Sequence, residues 1–331
     1  MKTKRLDFDQ DKEKTIQATV DYWKNGEVVA FPTETVYGLG ADATNSAAVS
    51  KIFQAKERPE DNPLIVHIAS KDQLSSLTDG YPAYVNPLID AFSPGPITCV
   101  LKCSPKIAKN VTGGLSTVGI RIPAHPVAHQ LLKAAELPIA APSANLSGKP
   151  SPTTAQHVLE DLTGKVPAVV DGGPANVGVE STVVDCTGEH PVILRLGKIT
   201  RQDIEQIIPV GGTQRDVQTS VPKSPGVKYR HYMPEVPLIL ALRDETETIR
   251  QHQISGKKVG LLTLDSTADY HADKVFSLGT SQEDIAAQLY QALRKMKQSD
   301  VDLVIAIGLN ESTAGEAVMD RLKKAASKTI E

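Results

Sequence analysis

The sequence predicts an α/β protein of two domains, and three observations support this prediction. Of the 331 residues, 40% are hydrophobic and 23% are charged, which is enough apolar material for one large core or two moderate ones. Aromatic residues make up only 4%, a balance that favours layered α/β packing over an all-β sandwich. Short β-branched runs alternate with helical patterns in two stretches, which a segment rich in Pro and Gly separates.

Seven apolar runs in the first part of the chain predict strands, because each run is short, rich in aliphatic residues and set between turn residues. They are VVAF at 28–31, PLIVHIA at 63–69, ITCVLK at 97–102, TVGIRI at 117–122, PAVVD at 167–171, STVVD at 181–185 and VILRL at 192–196. Helical spacing of apolar residues predicts helices behind Ser46 and around Val85. Thr200 and Asp203 form a capping-box pattern that opens a helix to about residue 208. We therefore expect the first domain to cover residues 1–208.

A connector and a second α/β pattern follow. Residues 209–236 contain repeated Pro and Gly without a sustained period, which predicts a linker. Residues 237–331 are expected to form the second domain. Within it, LILAL at 238–242, KVGLLTL at 258–264 and DLVIAIG at 302–308 predict strands, and helices are expected from Ser281 and over about 314–327.

Composition and charge argue against several functional classes. No stretch reaches 18 consecutive apolar residues and no apolar run follows the first positive charges, so we expect a cytoplasmic protein without a membrane span. A net charge of −3 argues against a protein that binds polyanions over its whole surface, although a local contact with RNA stays open. Cys99, Cys103 and Cys186 lack the spacing of a metal site and are interpreted as buried free thiols, with no metal ligands.

Motifs for nucleotide binding and covalent catalysis are weak or missing in the sequence. GLGADA at 38–43 superficially matches the dinucleotide fingerprint, but residues 32–37 separate it from the strand that should lead directly into it. No G-x-x-x-x-G-K-[ST] occurs, so any ATP phosphates would have to be held by scattered side chains. Gly-x-Ser-x-Gly and His-Glu-x-x-His are also lacking, and with them support for covalent acyl transfer or zinc hydrolysis.

Five polar residues each have a structural and a functional interpretation. Lys56 and Arg58 lie at the end of a predicted helix, where they either stabilise its C-terminus or hold an anion. His67 alternates with apolar residues on a predicted strand, where a lone histidine is usually structural. Ser143 and Asn145 lie in a loop with Pro and Gly that leads either to a ligand or to the N-cap of the next helix.

Two arginines and the linker add further candidates. Arg121 and Arg195 stand inside apolar strands, where a guanidinium is costly to bury unless it meets an anion, so both are expected to bind one. Ser181 follows a turn with several glycines, as in a loop that lines a ligand. The linker carries Tyr229 and His231 in a cluster of rings and cations, which is as typical of a functional loop as of a plain tether.

Six segments resemble, in order and spacing, the YrdC/Sua5 family of threonylcarbamoyl-adenylate synthases. They are PTETVYGLGADA, KERPEDNPLIVHI, TVGIRIP, APSANLSGKPSPT, VGVESTVVD and ILRLGKIT. The resemblance implies a YrdC-like twisted mixed sheet with helices over the first domain, and a smaller Rossmann-like α/β domain at 237–331. SPGVKYRHYMP resembles the linker of the longer Sua5 branch. The sequence departs from the family pattern at Ser93, where we expect Trp.

The resemblance also implies an activity and a set of site residues. L-threonine, bicarbonate and ATP with Mg²⁺ would yield threonylcarbamoyl-AMP, which downstream transferases use to form the t6A modification of tRNA; weak contact with tRNA stays open. The catalytic group that holds ATP would be Lys56, Arg58, Ser143 and Asn145, with Thr117, Ser151 and Arg195 further along the nucleotide. Thr33, His67, Arg121, Ser181 and the backbone around Ala141 would line a threonine pocket. Tyr229 and His231 are expected to reach the nucleotide from a linker that acts as a lid.

Two other functional classes stay open at this stage. A carbamoyl-transferring hydrogenase-maturation protein shares the YrdC-type domain, but an acylphosphatase-like start and Cys-rich fingers would be expected with it, and three dispersed cysteines supply neither. A non-catalytic RNA-binding or ribosome-maturation module would bind RNA in a salt-dependent way without turning over a nucleotide.

Overall fold

A computed structural model describes residues 1–213, 232–243, 245–264, 271–309 and 311–331. The chain divides into two compact units. Unit 1 comprises Met1–Ser147, Pro152–Asn176 and Glu180–Lys228, and unit 2 comprises Gly148–Ser151, Val177–Val179 and Tyr229–Glu331. Most of the predicted linker lies outside the described residues.

Unit 1 is built, within the described ranges, on one mixed sheet of eleven strands. The strands are β1 (Lys4–Asp7), β2 (Val29–Phe31), β3 (Gly38–Asp42), β4 (Ile65–His67), β5 (Ile97–Lys102), β6 (Thr117–Arg121), β7 (Ile139–Ala140), β8 (Ala168–Asp171), β9 (Thr182–Asp185), β10 (Val192–Arg195) and β11 (Gly212–Thr213). Their order in the sheet is β1-β8-β2-β3-β7-β4-β6-β5-β9-β10-β11. The mixed α/β architecture that the sequence predicted is confirmed.

Most of the helices described in unit 1 begin after a residue whose side chain accepts a hydrogen bond from a backbone N–H of the first turn. The helices are α1 (Lys12–Lys24), α2 (Ser46–Lys56), α3 (Leu74–Leu77), α4 (Val85–Phe92), α5 (Pro126–Ala135), α6 (Ala155–Leu162) and α7 (Arg201–Glu205). Asn45 caps α2 by accepting a hydrogen bond from the backbone N–H of Ala48, and Thr200 with Asp203 forms the expected capping box of α7. Helix α7 ends at residue 205, three residues earlier than predicted.

Two large apolar clusters and a smaller one form the core of unit 1 within the described ranges. The largest includes Leu39, Val49 and Ile52, the second includes Trp23 and Phe31, and the smallest is formed around Val100. Glycine is required at residue 40, since an added Cβ would lie 2.7 Å from Ile139 Cγ2. The GLGAD segment forms strand β3, antiparallel to β2, and does not open a helix as a dinucleotide fingerprint would.

Unit 2 contains a sheet of five strands whose described pairings are all parallel, as in the Rossmann-like domain that the sequence predicted. The strands are β12 (Leu238–Ala241), β13 (Val259–Thr263), β14 (Lys274–Ser277), β15 (Leu303–Ile307) and β16 (Lys328–Ile330), in the order β14-β13-β15-β12-β16. The helices are α8 (Glu245–Ile254), α9 (Gln282–Met296) and α10 (Glu311–Ala325), the last broken at Gly315. Within this unit, Arg294 Nη2 donates to the carbonyl of Pro150 at 2.6 Å.

The sequence predicted that the cysteines are buried free thiols and that the chain has no membrane span. Cys99, Cys103 and Cys186 are free thiols; two of them are buried, whereas Cys103 is half-buried. None of the helices in the described ranges combines the length and apolarity needed to cross a bilayer.

Candidate functional site

Four neighbouring strands bring three of the predicted threonine-pocket residues together. Strands β4 and β6 run parallel, and their register places His67 beside Arg121. Strand β5 runs antiparallel to β6, and β9 pairs in parallel with β5 from Thr182 onward. Ser181, which directly precedes β9, therefore lies near the end of β6, where Arg121 is located.

Arg121 is the cation at the centre of this group, and it is 5% exposed. Its Nη2 donates to Glu34 Oε1 at 2.6 Å, its Nη1 donates to Thr35 Oγ1 at 2.8 Å, and its Nε donates to the carbonyl of Gly95 at 3.3 Å. Three of the five guanidinium N–H groups are thereby engaged by described residues. The anion that the sequence required beside this buried arginine is a carboxylate of the chain itself.

Thr33 opens the loop that carries Glu34 and Thr35. Its hydroxyl donates to the carbonyl of Val36 at 2.6 Å and accepts from the backbone N–H groups of Thr35 and Val36 at 3.2 Å. The two threonine hydroxyls are 2.9 Å apart. Thr33 therefore fixes the loop that positions the partners of Arg121.

His67 is a neutral histidine in this structure. It is 4% exposed, and its ring meets Phe31 edge-on with the ring centroids 6.0 Å apart. Its pKa is lowered to about 3, mainly because the ring is buried and also because the positive charge of Arg121 is nearby. Its Nδ1 is buried and has no hydrogen-bond partner among the described residues. A neutral imidazole can bind a polar ligand without adding charge.

Ser181 lies between Thr98 and Arg195. Its Oγ is 2.8 Å from Thr98 Oγ1, and Arg195 Nη2 donates to the same oxygen at 3.1 Å. Arg195 Nε also donates to the backbone carbonyl of Ser181 at 3.1 Å. The sequence predicted Ser181 at threonine and Arg195 at the nucleotide, whereas the structure brings the two residues into direct contact.

A second polar group surrounds the ammonium of Lys56, which is 1% exposed. Lys56 Nζ donates to the carbonyls of Ser143 and Asn145 at 2.5 Å each. Asn145 Nδ2 donates to the carbonyl of Leu146 at 2.8 Å. Three of the four residues predicted to hold ATP are therefore in contact, and Lys56 fixes the backbone of the loop that carries the other two.

The remaining predicted residues lie in several places. Arg58 is half-buried, with Nη2 3.4 Å from the carbonyls of Asn62 and Pro63, and Thr117 is half-buried at the first position of β6. The backbone N–H of Ala141 donates to the carbonyl of Ile65, the first residue of β4. Ser151 is buried and belongs to unit 2. Tyr229 and His231 lie outside the described residues.

Sequence reasoning missed three polar residues of the first group, namely Glu34, Thr35 and Thr98. All three are buried. For Glu34 and Thr35 the available signal was the run of polar residues in PTET directly after the apolar strand VVAF. Together with Arg121, His67 and Ser181 they form a buried polar site with one full ion pair and several hydroxyl groups. Such a site suits a small ligand that carries a carboxylate and other polar groups.

Comparisons with known proteins show the family of this chain. A family model described as Telomere recombination (Sua5_yciO_yrdC) matches residues 21–197, more than half of the chain, and one described as Threonylcarbamoyl-AMP synthase, C-terminal domain (Sua5_C) matches residues 199–327. The chain belongs to the Sua5/YciO/YrdC family. A threonylcarbamoyl-AMP synthase of Bacillus subtilis is 47% identical over 340 residues, covering 98% of each chain. One from Pyrococcus abyssi is 46% identical over 329 residues, covering 95% of each.

Solved structures of the family extend the similarity to the fold. The crystal structure of Pyrococcus abyssi Sua5 complexed with L-threonine matches all of this chain and all of that one, with a TM-score of 0.92 and 43% sequence identity. Escherichia coli YciO matches 60% of this chain with a TM-score of 0.53 at 22% identity, which indicates a shared fold alone. The family resemblance that the sequence motifs predicted is therefore confirmed.

Proposed function

We propose that this chain is a threonylcarbamoyl-AMP synthase. It converts L-threonine, bicarbonate and ATP into threonylcarbamoyl-AMP, diphosphate and water. The observation that carries the proposal is the buried group of Arg121, His67 and Ser181, in a chain that is similar along its whole length to a Sua5 complexed with L-threonine. Two family models match successive parts of the chain, residues 21–197 and 199–327, so the proposal concerns the two-domain type of enzyme.

The polar group around Arg121 and the polar group around Lys56 bind different substrates. Threonine binds at Arg121, His67 and Ser181, where two N–H groups of the guanidinium are left for its carboxylate. ATP binds at the loop of Ser143 and Asn145, which the ammonium of Lys56 holds in place. The predicted nucleotide contacts of Arg58, Thr117 and Ser151 belong to the same proposal.

The reaction needs positioning more than a protein nucleophile. The amino group of threonine combines with bicarbonate to a carbamate, with loss of one water molecule, and a carbamate oxygen then attacks the α-phosphorus of ATP while diphosphate leaves. Because an AMP group is transferred, the enzyme is a nucleotidyltransferase. Fixed donors and cations stabilise the charge that develops on the phosphate oxygens, and a rigid loop keeps them in place during the reaction.

Mg²⁺ belongs to this proposal as a companion of ATP. In the described parts of the chain, no group of three or more His, Cys, Asp or Glu side chains could hold a metal ion. The described residues therefore do not fit a resident metal. We expect Mg²⁺ to arrive on the phosphate oxygens of ATP, keeping several of its waters.

The product is a mixed anhydride, and its consumer must be a transferase that moves the threonylcarbamoyl group to an adenosine of tRNA to form t6A. We place this reaction in the cytoplasm, and contact of the chain itself with tRNA stays a prediction.

Release of diphosphate tests the proposed function. Purified protein with ATP and Mg²⁺ should release diphosphate only when threonine and bicarbonate are both present. Serine lacks one methyl group and should react roughly 10- to 200-fold less efficiently, the range for one methyl in an apolar pocket. Release at the full rate without an amino acid would contradict the proposal.

A further inference from the structure

Glu34 is a buried carboxylate in the threonine site to which neither the motifs nor the comparisons give a role. Its side chain is 7% exposed. Oε1 accepts the 2.6 Å hydrogen bond from Arg121 Nη2. Oε2 is also buried but has no hydrogen-bond partner among the described residues. One carboxylate oxygen therefore has a hydrogen-bond donor, and the other has none among the described residues.

An unsatisfied carboxylate oxygen is unfavourable inside a protein, because it has lost its water without gaining a donor. Such a group calls for a partner from outside the described residues, which is an ordered water or the donor group of a bound ligand. The partner that Oε2 lacks is a hydrogen-bond donor, and a cationic donor forms the stronger bond to a carboxylate.

The charges of the site restrict the class of ligand further. A buried arginine alone would suit any anion, including phosphate or bicarbonate. Its pairing with Glu34 brings the net charge of the two side chains to zero, so the pair matches a ligand with one positive and one negative group. A free α-amino acid is such a ligand, with its carboxylate for Arg121 and its ammonium for Glu34.

We propose that Glu34 is a specificity-determining residue that binds the α-amino group of the amino-acid substrate through Oε2. This inference rests on the proposed function and deepens it, because it identifies which end of threonine each member of the ion pair recognises. The terminal torsion of a glutamate is broad, so the carboxylate can turn toward the ligand while it still holds Arg121.

Replacement of Thr35 distinguishes binding of the amino group by Glu34 from a merely structural role of Glu34. The Thr35 hydroxyl accepts from Arg121 Nη1 at 2.8 Å, so it positions the same guanidinium without carrying a charge. Loss of Thr35 disturbs the carboxylate end of the site alone. Loss of the Glu34 charge disturbs the ammonium end as well.

The test measures binding by calorimetry in the absence of ATP and bicarbonate. The two ligands are L-threonine and (R)-3-hydroxybutanoate, which is threonine without its amino group. The wild-type protein should bind threonine at least tenfold more tightly than (R)-3-hydroxybutanoate, since a hydrogen bond to a charged group is worth roughly a tenfold to hundredfold change in affinity. Absence of any threonine binding would instead contradict the proposed function.

Two variants locate the source of this preference. Glu34→Gln keeps the shape of the side chain and an acceptor for Arg121, but it removes the charge. It should weaken threonine binding roughly tenfold to a hundredfold and leave (R)-3-hydroxybutanoate nearly unchanged, so that the preference disappears. The control Thr35→Val should weaken both ligands by a similar factor and keep the preference.

Three outcomes would overturn the role of Glu34. The first is wild-type protein that binds both ligands equally well, a result that needs no variant and holds even if Glu34→Gln does not fold. The second is a folded Glu34→Gln protein that loses both ligands by the same factor, which would show that Glu34 only holds Arg121. The third is a Glu34→Gln protein with unchanged affinity for threonine.

Discussion

Arg195 donates to Ser181 twice, from Nη2 to the hydroxyl and from Nε to the backbone carbonyl, each at 3.1 Å. Both residues are buried, and Thr98 contacts the same hydroxyl from the other side at 2.8 Å. The rotamer and the backbone of Ser181 are therefore fixed together. This contact makes Arg195 a positioning residue for Ser181, in addition to its predicted contact with the nucleotide.

Replacement of Arg195 tests that contact. Arg195→Met should raise the KM for threonine roughly tenfold to a hundredfold, because two hydrogen bonds from a charged group to Ser181 are lost. Arg195→Lys, which can restore one of them, should recover part of the loss. Steady-state kinetics with threonine and ATP varied separately would check this. An effect confined to the KM for ATP would contradict the positioning role.

Gly197 offers an independent approach to the same serine. A Cβ at this residue would lie 2.3 Å from the backbone nitrogen of Thr182 and 2.6 Å from the carbonyl carbon of Ser181. Gly197→Ala should therefore shift the Ser181 backbone, lower the melting temperature and raise the KM for threonine.

The matched control is Gly188→Ala, where the nearest atom to an added Cβ is 3.7 Å away. It should leave the melting temperature and the KM near those of the wild type. Equal behaviour of the two variants in thermal unfolding and kinetics would contradict a close approach at Gly197.

Lys56 should affect both stability and ATP turnover. Lys56→Met removes the donor to the carbonyls of Ser143 and Asn145 and leaves them buried without it, so the free energy of unfolding should fall by about 1–3 kcal/mol. The same change frees the loop that is proposed to hold ATP, and turnover should fall as well.

The control for Lys56 lies on the same helix. Lys51 forms an ion pair with Glu27 at 2.6 Å in which both side chains are partly exposed. Lys51→Met should cost at most about 1 kcal/mol and leave turnover unchanged. Urea denaturation and diphosphate release would measure the two effects. If Lys56→Met unfolds at the same urea concentration as the wild type, the two carbonyl contacts do not stabilise the loop.

His67 should make the folded state sensitive to acid. Its pKa is about 3 in the folded protein and about 6.5 in an unfolded chain, so between these values the unfolded chain binds a proton that the folded chain does not. Stability from this residue is complete above pH 6.5 and is lost on acidification, at about 1.4 kcal/mol per pH unit. His67→Gln should lose less stability than the wild type between pH 7.5 and 5.5. Urea denaturation at both pH values would check this, and equal losses would contradict a buried neutral histidine.

Local sequence patterns predicted much of the sheet. Strand β5 has the predicted bounds, 97–102, because its apolar run ends at clear turn residues. Strand β3 was not predicted, since two of its five residues are glycines that usually weaken a strand. Close packing of Ile139 and Phe31 against residue 40 requires glycine there, and such a contact through the folded structure leaves no periodic signal in the sequence.

The candidate site was predicted only in part, because its contacts also depend on the folded chain. A guanidinium in an apolar strand indicated that Arg121 would need an anion, but not that Glu34 would supply it. Lys56 was expected at phosphate, while the structure shows its ammonium at two backbone carbonyls. The partners are 87 residues apart in the sequence for Arg121 and Glu34, and 87 and 89 residues apart for Lys56 and its two carbonyls. Only the folded chain brings them together.

Mass spectrometry of the reaction product tests the central claim most directly. Protein is mixed with ATP, Mg²⁺ and L-threonine, and with bicarbonate that carries either ordinary carbon or ¹³C. The expected product contains threonine, one carbon dioxide unit and AMP, and its mass should increase by one unit with the ¹³C label. A product of AMP and threonine alone, or one whose mass is the same with both forms of bicarbonate, would contradict the assignment as a threonylcarbamoyl-AMP synthase.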